Sequence, residues 1–258
     1  MSENQFNPAK EQEFLNSLVS DYKDVSPYSQ LKKEIILSLI DSQTGNRSEC
    51  HALQLGCANG YETEQLAQRV NRLVVADGSS VFIERVKAAN THSNVEFIET
   101  LFEDLHSSAI DSRFDFIFCN YILEHVYDTD VILRNMHSLL KPDGIMFIVV
   151  PNAYALSRQL AQAMGLIINL DDLTENDHKH GHRRVYDAER ITNDVERNGF
   201  KVVFKHGIVL KILADFQLNK LLHDGFLTRE HILGLQKLAS GDNMQFADSI
   251  FLAVQRKG

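Results

Sequence analysis

Asp77 closes the apolar run "RLVVAD" and stands 21 positions after Gly56, which closes another run, "HALQLG". A glycine turn after one strand and an acid at the end of the next is a spacing suited to a ribose. Glycine permits a tight turn and close approach to the backbone, and a carboxylate about 20 residues on accepts hydrogen bonds from ribose hydroxyls. Each half also has a plainer reading: Gly56 and Gly60 as a turn with no ligand, and Asp77 as a helix N-cap in "DGSS". Together they favour a ligand carrying a ribose. A second stretch, "NDHKHGHRRVYD", gathers His178, His180, His182, Arg183, Arg184 and Tyr186. Its arginines suit an anionic group such as a phosphate or carboxylate, and its histidines suit a base for a hydroxyl. The same residues also read as a metal-binding tract or as a solvated loop before a helix. His125, in "LEHV", is a third candidate, either anchoring the following helix or acting as a base.

These residues need elements to position them. "HALQL", "RLVVAD", "VEFIET", "FDFIFCN", "KVVFKHG" and "DSIFLAVQRK" read as strands and "PDGIMFIVVP" as a turn followed by a strand, and helical patterns such as "YETEQLAQRV", "SVFIERVKAA" and "TDVILRNMHSLL" fall between the first five strands of the chain. Alternation of this kind implies an α/β fold: a doubly wound, mostly parallel seven-stranded sheet with helices on both faces. In such a sheet the first strand-to-helix turn lies at the ligand crevice. Residues 1–48 read as a lead-in of two helices, with Phe14, Leu15, Leu18 and Tyr22 along one stripe, and residues 49–258 as the main domain. The regularity breaks at about 153–186 and 211–240, which read as helical insertions near the substrate end.

Composition bounds the function. The 258 residues are 44% hydrophobic and 24% charged, with a net charge of -9, as expected of a globular chain and unlike a binder of nucleic-acid phosphates. Three cysteines without a C-x-x-C pair argue against a disulfide framework or a zinc site and fit the cytoplasm. The first residues lack the apolar core of a signal peptide, and no apolar run reaches membrane-spanning length.

"GCANGY" does not supply the G-x-G-x-x-G of dinucleotide binders, and no P-loop pattern occurs. The segment resembles the first motif of class I S-adenosylmethionine-dependent methyltransferases, of the form "hLDhGCGxG". Asp77 then falls where the family's ribose-binding acid sits. "ETLFEDL" resembles the adenine segment, "RFDFIFCNYILEHVYD" the fourth-strand motif, and "LLKPDGIMFIVVPN" the turn and fifth strand that follow. The resemblance implies S-adenosyl-L-methionine as cofactor, with S-adenosyl-L-homocysteine as product. It places Gln54, Gly56, Cys57, Ala58, Gly60, Asp77 and Gly78 at the methionine and ribose, Phe102 and Glu103 at the adenine, and Asn120 and Tyr121 by the methionine part. It also implies N-terminal helices over the cofactor, with Tyr22 and Tyr28 as contacts.

Two positions depart from the pattern. Gln54 stands where the family usually carries Asp or Glu, and Ala58 where it carries Gly. The "GHRRVY" stretch resembles a segment of some small-molecule and sugar methyltransferases. On that basis His180, Arg183, Arg184 and Tyr186 are expected at the acceptor, with His182 and His125 as catalytic bases and no metal. The expected activity is methyl transfer to O or N of a small molecule by a cytoplasmic monomer or homodimer, with no nucleic acid or membrane as partner. The alternatives are a regulatory binder of the same cofactor that has lost catalysis, and a methyltransferase acting on a macromolecule.

Overall fold

The computed structural model describes residues 7–19, 26–45, 49–106, 110 and 112–258. Seven strands form one sheet in the order β3-β2-β1-β4-β5-β7-β6. They are β1 (His51–Leu55), β2 (Arg72–Asp77), β3 (Val95–Glu99), β4 (Phe114–Asn120), β5 (Leu140–Pro151), β6 (Phe200–Ile208) and β7 (Ser249–Arg256). The first five pair in parallel, and β7 runs antiparallel between β5 and β6. The strand order reverses direction between β1 and β4, which makes their carboxyl ends the topological switch point where open sheets bind ligands.

Strand periodicity sends alternate side chains to two cores. Ala52, Val75, Phe116 and Phe118 pack on one face, beneath α2 (Pro27–Thr44), α3 (Tyr61–Ala67) and α4 (Ser80–Ala89). Leu53, Leu55, Ile117 and Cys119 pack on the other, against α5 (Thr129–Leu139) and α8 (Ala188–Arg197). Polar caps fix where several helices begin: Ser26 accepts from Ser29 N, Ser79 from Phe82 N, and Asp128 from Asp130 N and Val131 N. The turn expected at Pro142–Gly144 is instead part of β5, taken up by a register shift opposite Phe114 and Phe116.

The first described helix, α1 (Pro8–Leu18), packs on α4. Its Leu15 lies over Gly78, Gln12 donates to Glu99, and Asn16 accepts from the Ser79 hydroxyl. Tyr22 lies outside the described residues. The 153–186 segment contributes α6 (Leu156–Ala163) and the one-turn α7 (Glu175–Lys179), and the 211–240 segment contributes α9 (Asp215–His223) and α10 (Arg229–Leu238), both packed on α2. Among the described residues no helix is long and apolar enough to cross a membrane.

Candidate functional site

The turn after β1 alternates into the left-handed region three times, at Gly56 (φ 75°), Ala58 (φ 43°) and Gly60 (φ 82°). Glycine takes this conformation at no steric cost, whereas Ala58 holds it under strain. A Cβ on Gly56 would lie 2.7 Å from Ile122 Cδ1, and one on Gly60 would lie 3.0 Å from Val86 Cγ1. Protein side chains therefore fill the space beside both glycines. Both positions require a left-handed backbone with no room for a Cβ, which glycine supplies.

Asp77 pins the turn from the end of β2. Its Oδ2 accepts from Cys57 N at 2.9 Å and from the Cys57 thiol at 3.4 Å, and its Oδ1 accepts from Ser79 N at 2.8 Å. The carboxylate is 7% exposed. Burial raises its pKa, and the bonds from Cys57 and Ser79 oppose that rise. Burial and the neighbouring Asp77 push the Cys57 thiol up in turn. Above Gly78 the space is closed by Leu15 and Leu101. Phe102 and Glu103 follow in a short 3-10 turn, partly buried, with both carbonyls held by the Asn135 amide. Burial raises the Glu103 carboxyl.

Gln54 faces α3. Its amide donates to Gly56 O and its carbonyl accepts from the Thr63 hydroxyl, each at 2.9 Å, so both ends serve the turn. From α3, Glu62 accepts a short hydrogen bond from the Asn120 amide at the end of β4. The other side-chain atom, Asn120 Oδ1, is buried without a partner among the described residues. Tyr121, next along, is a second non-glycine residue in the left-handed region (φ 55°). Its hydroxyl donates to Ser249 Oγ at 3.0 Å, and burial pushes its pKa up to about 12. Beside it lies a buried charge cluster. Asp248 meets Lys211 at 2.9 Å and Lys32 at 3.3 Å, Asp215 also pairs with Lys211, and Lys32 stacks over the Tyr28 and Tyr121 rings. Tyr28 is fully buried in this cluster.

The histidine-rich segment folds back on the connection from β4 to α5. A capping box at Thr174 and Asp177 starts α7. Asp177 Oδ1 then lies 3.0 Å from His182 Nδ1, and Arg158 approaches Oδ2 at 3.3 Å. Burial would raise Asp177, but the neighbouring His182 ring and hydrogen bonds from Thr174 outweigh it and hold the pKa below its ordinary value. The His182 ring packs edge-on against His125, with centroids 4.7 Å apart. His125 is pushed down to about 3, by burial first and by His182 second. Glu124 is 0% exposed, neither of its oxygens has a hydrogen-bond partner among the described residues, and burial raises its pKa to about 8. The donor atoms of Glu124, His125 and His182 lie within 4.8 Å of one another, a set able to hold a metal ion. The sequence reading, which expected no metal, looked for donors at His178, His180 and His182. In the fold His178 is exposed, and His180 Nδ1 lies 2.7 Å from Asn176 O.

Three expected acceptor contacts are used otherwise. Arg184 donates to Leu123 O, Val126 O and Tyr127 O, holding the chain after β4. Tyr186 is fully buried, with its hydroxyl 3.1 Å from Thr129 Oγ1. Arg183 donates to His125 O and to both oxygens of Glu11, tying α1 to the histidine cluster. In this structure the two arginines are engaged with backbone carbonyls and the Glu11 carboxylate, and Tyr186 with Thr129. Two clefts flank this centre. One of about 430 Å³ borders the turn at Asn59, Gly60 and Tyr61, opposite Ser29 and Lys33 of α2. The other, about 630 Å³, lies between α5 and α8, and neither Asp77 nor Asn120 lines it.

Glu62, Glu124, Asp177 and the lysine cluster went unread in the sequence. Only Glu124 carried a signal, as the residue before His125 in "LEHV".

The model of the family described as "Methyltransferase domain" matches residues 29–204. The ubiquinone biosynthesis O-methyltransferase of Brucella anthropi is 26% identical over 165 residues, covering 63% of this chain and 64% of that protein. The chain thus spans about 64% of the length of that relative. In structure it is similar to the N-methyltransferase NodS of Bradyrhizobium japonicum WM9, solved with S-adenosyl-L-homocysteine, at TM-score 0.59 and 16% identity over 98% of this chain and 100% of that one. It is similar as well to the [4+2]-cyclase SpnF, at TM-score 0.59 and 14% identity over 87% and 80%. At these identities the likenesses speak for the fold alone.

Proposed function

The chain belongs to the methyltransferase-domain family, whose model spans residues 29–204, and from that premise we propose that it transfers a methyl group from S-adenosylmethionine to O or N of a small acceptor in the cytoplasm. One observation carries the reading. The only non-glycine residues at the carboxyl ends of β1 and β4 described in the left-handed region, Ala58 and Tyr121, flank the switch point beside a turn pinned by an acid. Strain of this kind persists where function requires it.

The residues present fit the cofactor. Asp77 can exchange its weakest donor, the Cys57 thiol at 3.4 Å, for a stronger one. A ribose hydroxyl replacing that thiol would complete it. Asn120 Oδ1 is a buried acceptor in need of a donor. Gly56, Cys57, Ala58 and Gly60 would hold the methionine part, Gly78 the ribose, and Phe102 and Glu103 the adenine edge. In this reading α1 is the cover, with Leu15 over Gly78 and the Glu11–Arg183 pair as its fastening. When bound, the cofactor supplies a methyl group on a sulfonium, open to in-line attack.

The protein's own part is to position and to move a proton. Asp177 Oδ1 lies 3.0 Å from His182 Nδ1, which sets a carboxylate beside the ring proposed as general base. His125 stays neutral at physiological pH and packs against it. The test is incubation with S-adenosylmethionine carrying a labelled methyl group and a panel of phenolic, sugar and amine acceptors, read by mass spectrometry. Label should appear on an acceptor, and His182→Ala should lower turnover by roughly 10²–10⁴-fold. Cofactor binding with no transfer to any acceptor would favour the regulatory binder.

A further inference from the structure

We propose that Glu124, His125 and His182 form a site for a divalent transition-metal ion, zinc foremost, and that the bound ion blocks the methyl transfer proposed above. The metal site stands on its own geometry, and only the inhibition rests on that reading.

Two distant stretches of chain bring the ligands together. Glu124 and His125 follow β4, and His182 comes from the segment after α7. Contacts along the backbone hold the two stretches in place. Arg183 N donates to Glu124 O at 2.8 Å, Arg183 Nε donates to His125 O at 2.7 Å, and Arg184 donates to Leu123 O and Val126 O. The donor atoms of the three side chains then fall within 4.8 Å of one another, with His125 Nε2 3.9 Å from Glu124 Oε1. Ligands about 2.0–2.2 Å from one tetrahedral zinc ion stand roughly 3.4 Å apart, a separation that small side-chain rotations reach.

Each side chain is prepared for an ion in its own way. Glu124 is 0% exposed, and neither of its oxygens has a hydrogen-bond partner among the described residues. A buried carboxylate without donors is costly, and a bound cation offsets that cost. His182 has Nδ1 3.0 Å from Asp177 Oδ1, the carboxylate–imidazole arrangement that orients metal-bound histidines. Asp177 is itself held by Thr174 and Arg158. The His125 ring hydrogen-bonds to the backbone of Gly181. Two imidazoles and one carboxylate suit zinc or another first-row transition ion, whereas magnesium and calcium take oxygen ligands. Three protein ligands leave a fourth position open. The inhibition follows from His182. With Nδ1 beside Asp177, one ring nitrogen remains, and it cannot both coordinate an ion and accept the acceptor's proton.

The untagged full chain, freed of metal by a chelator, is titrated with Zn2+ in competition with a chromophoric chelator, and with Co2+ by visible absorption. Wild type should take up one equivalent of Zn2+, and Co2+ should give the intense visible bands of a low-coordinate site. Glu124→Gln and His182→Ala should each weaken Zn2+ by about tenfold or more, and Asp177→Asn by about 10–100-fold, as loss of the partner behind a ligand does. His178→Ala, which removes an exposed histidine of the same tract, should leave the affinity unchanged. Methyl transfer by wild type should fall as Zn2+ occupancy rises and recover with EDTA. Failure to take up Zn2+, uptake that Glu124→Gln leaves unchanged, or uptake that His178→Ala weakens equally would overturn the site. Activation by Zn2+ would overturn the inhibition. If wild type transfers no methyl group to any acceptor, the proposed function falls and the inhibition with it, while the titrations still decide the site. Thermal unfolding of each metal-free variant checks that it is folded, and the Co2+ spectrum of wild type needs no variant.

Discussion

Replacing Gly56 by Ala tests why a glycine stands at the end of β1. Two costs are separable in the structure. The left-handed φ of 75° strains any residue with a Cβ, at about 1–2 kcal/mol. The new Cβ would also lie 2.7 Å from Ile122 Cδ1, an overlap worth about 1–3 kcal/mol in a packed interior. Together they make Gly56→Ala destabilising by about 2–5 kcal/mol. Ile122→Val deletes the offending methyl and by itself costs about 0.5–1.5 kcal/mol. In the double variant only the φ strain should remain, so the two changes should couple favourably by about 1–3 kcal/mol. Urea unfolding of the four proteins, compared at equal m-values, measures that coupling. Additivity within about 0.5 kcal/mol would refute the contact with Ile122 as a cost. Stabilisation by Gly56→Ala would refute the strain as well, since alanine gains over glycine wherever its φ is compatible.

Further outcomes follow from the buried charges. Glu124 has its pKa raised to about 8 from an ordinary 4.5, so the unfolded chain loses the proton first, and stability from this group falls as pH rises between those values. Glu124→Gln lacks that slope, and its stability relative to wild type, followed by thermal unfolding from pH 5 to 8, should grow by up to about 1.4 kcal/mol per pH unit. Asp248→Asn should cost about 3 kcal/mol in urea unfolding, because it leaves Lys211, 5% exposed, and Lys32 facing only the half-exposed Asp215. Arg184→Lys should lower stability by about 1–3 kcal/mol and leave cofactor affinity unchanged by calorimetry, because an ammonium cannot span the three carbonyls that the guanidinium holds.

The strands and the turn were legible because their signals are local. "HALQLG" and "RLVVAD" alternate side chains between two cores, and both end at the switch point, so Gly56, Gly60 and Asp77 could be placed from spacing alone. What escaped depends on contacts between distant segments. Lys32 meets Asp248 across 216 positions, and nothing near either residue announces the other. Arg183 and Arg184 have the composition of an anion site, but the carbonyls and the Glu11 carboxylate that claim them become neighbours only after the chain folds. Glu62 in a first helical turn reads as an ordinary favourable charge, and its bond with Asn120 comes from the pairing of β1 with β4. The histidine tract folds onto the β4–α5 connection, where His182 meets His125. The partners that give it chemistry, Asp177 and Glu124, were settled by the cap of α7 and by the packing of that segment on the β4–α5 connection.

The claim on which the functional reading depends is that the β1–β4 switch point binds S-adenosylmethionine through Asp77. Calorimetric titration of S-adenosylhomocysteine into wild type and Asp77→Ala tests it most directly. Wild type should bind one equivalent, and Asp77→Ala should bind more weakly by about 1–3 kcal/mol, as expected when a buried ribose loses its acceptor. Absence of binding by wild type, or the same affinity in a folded Asp77→Ala, would contradict it.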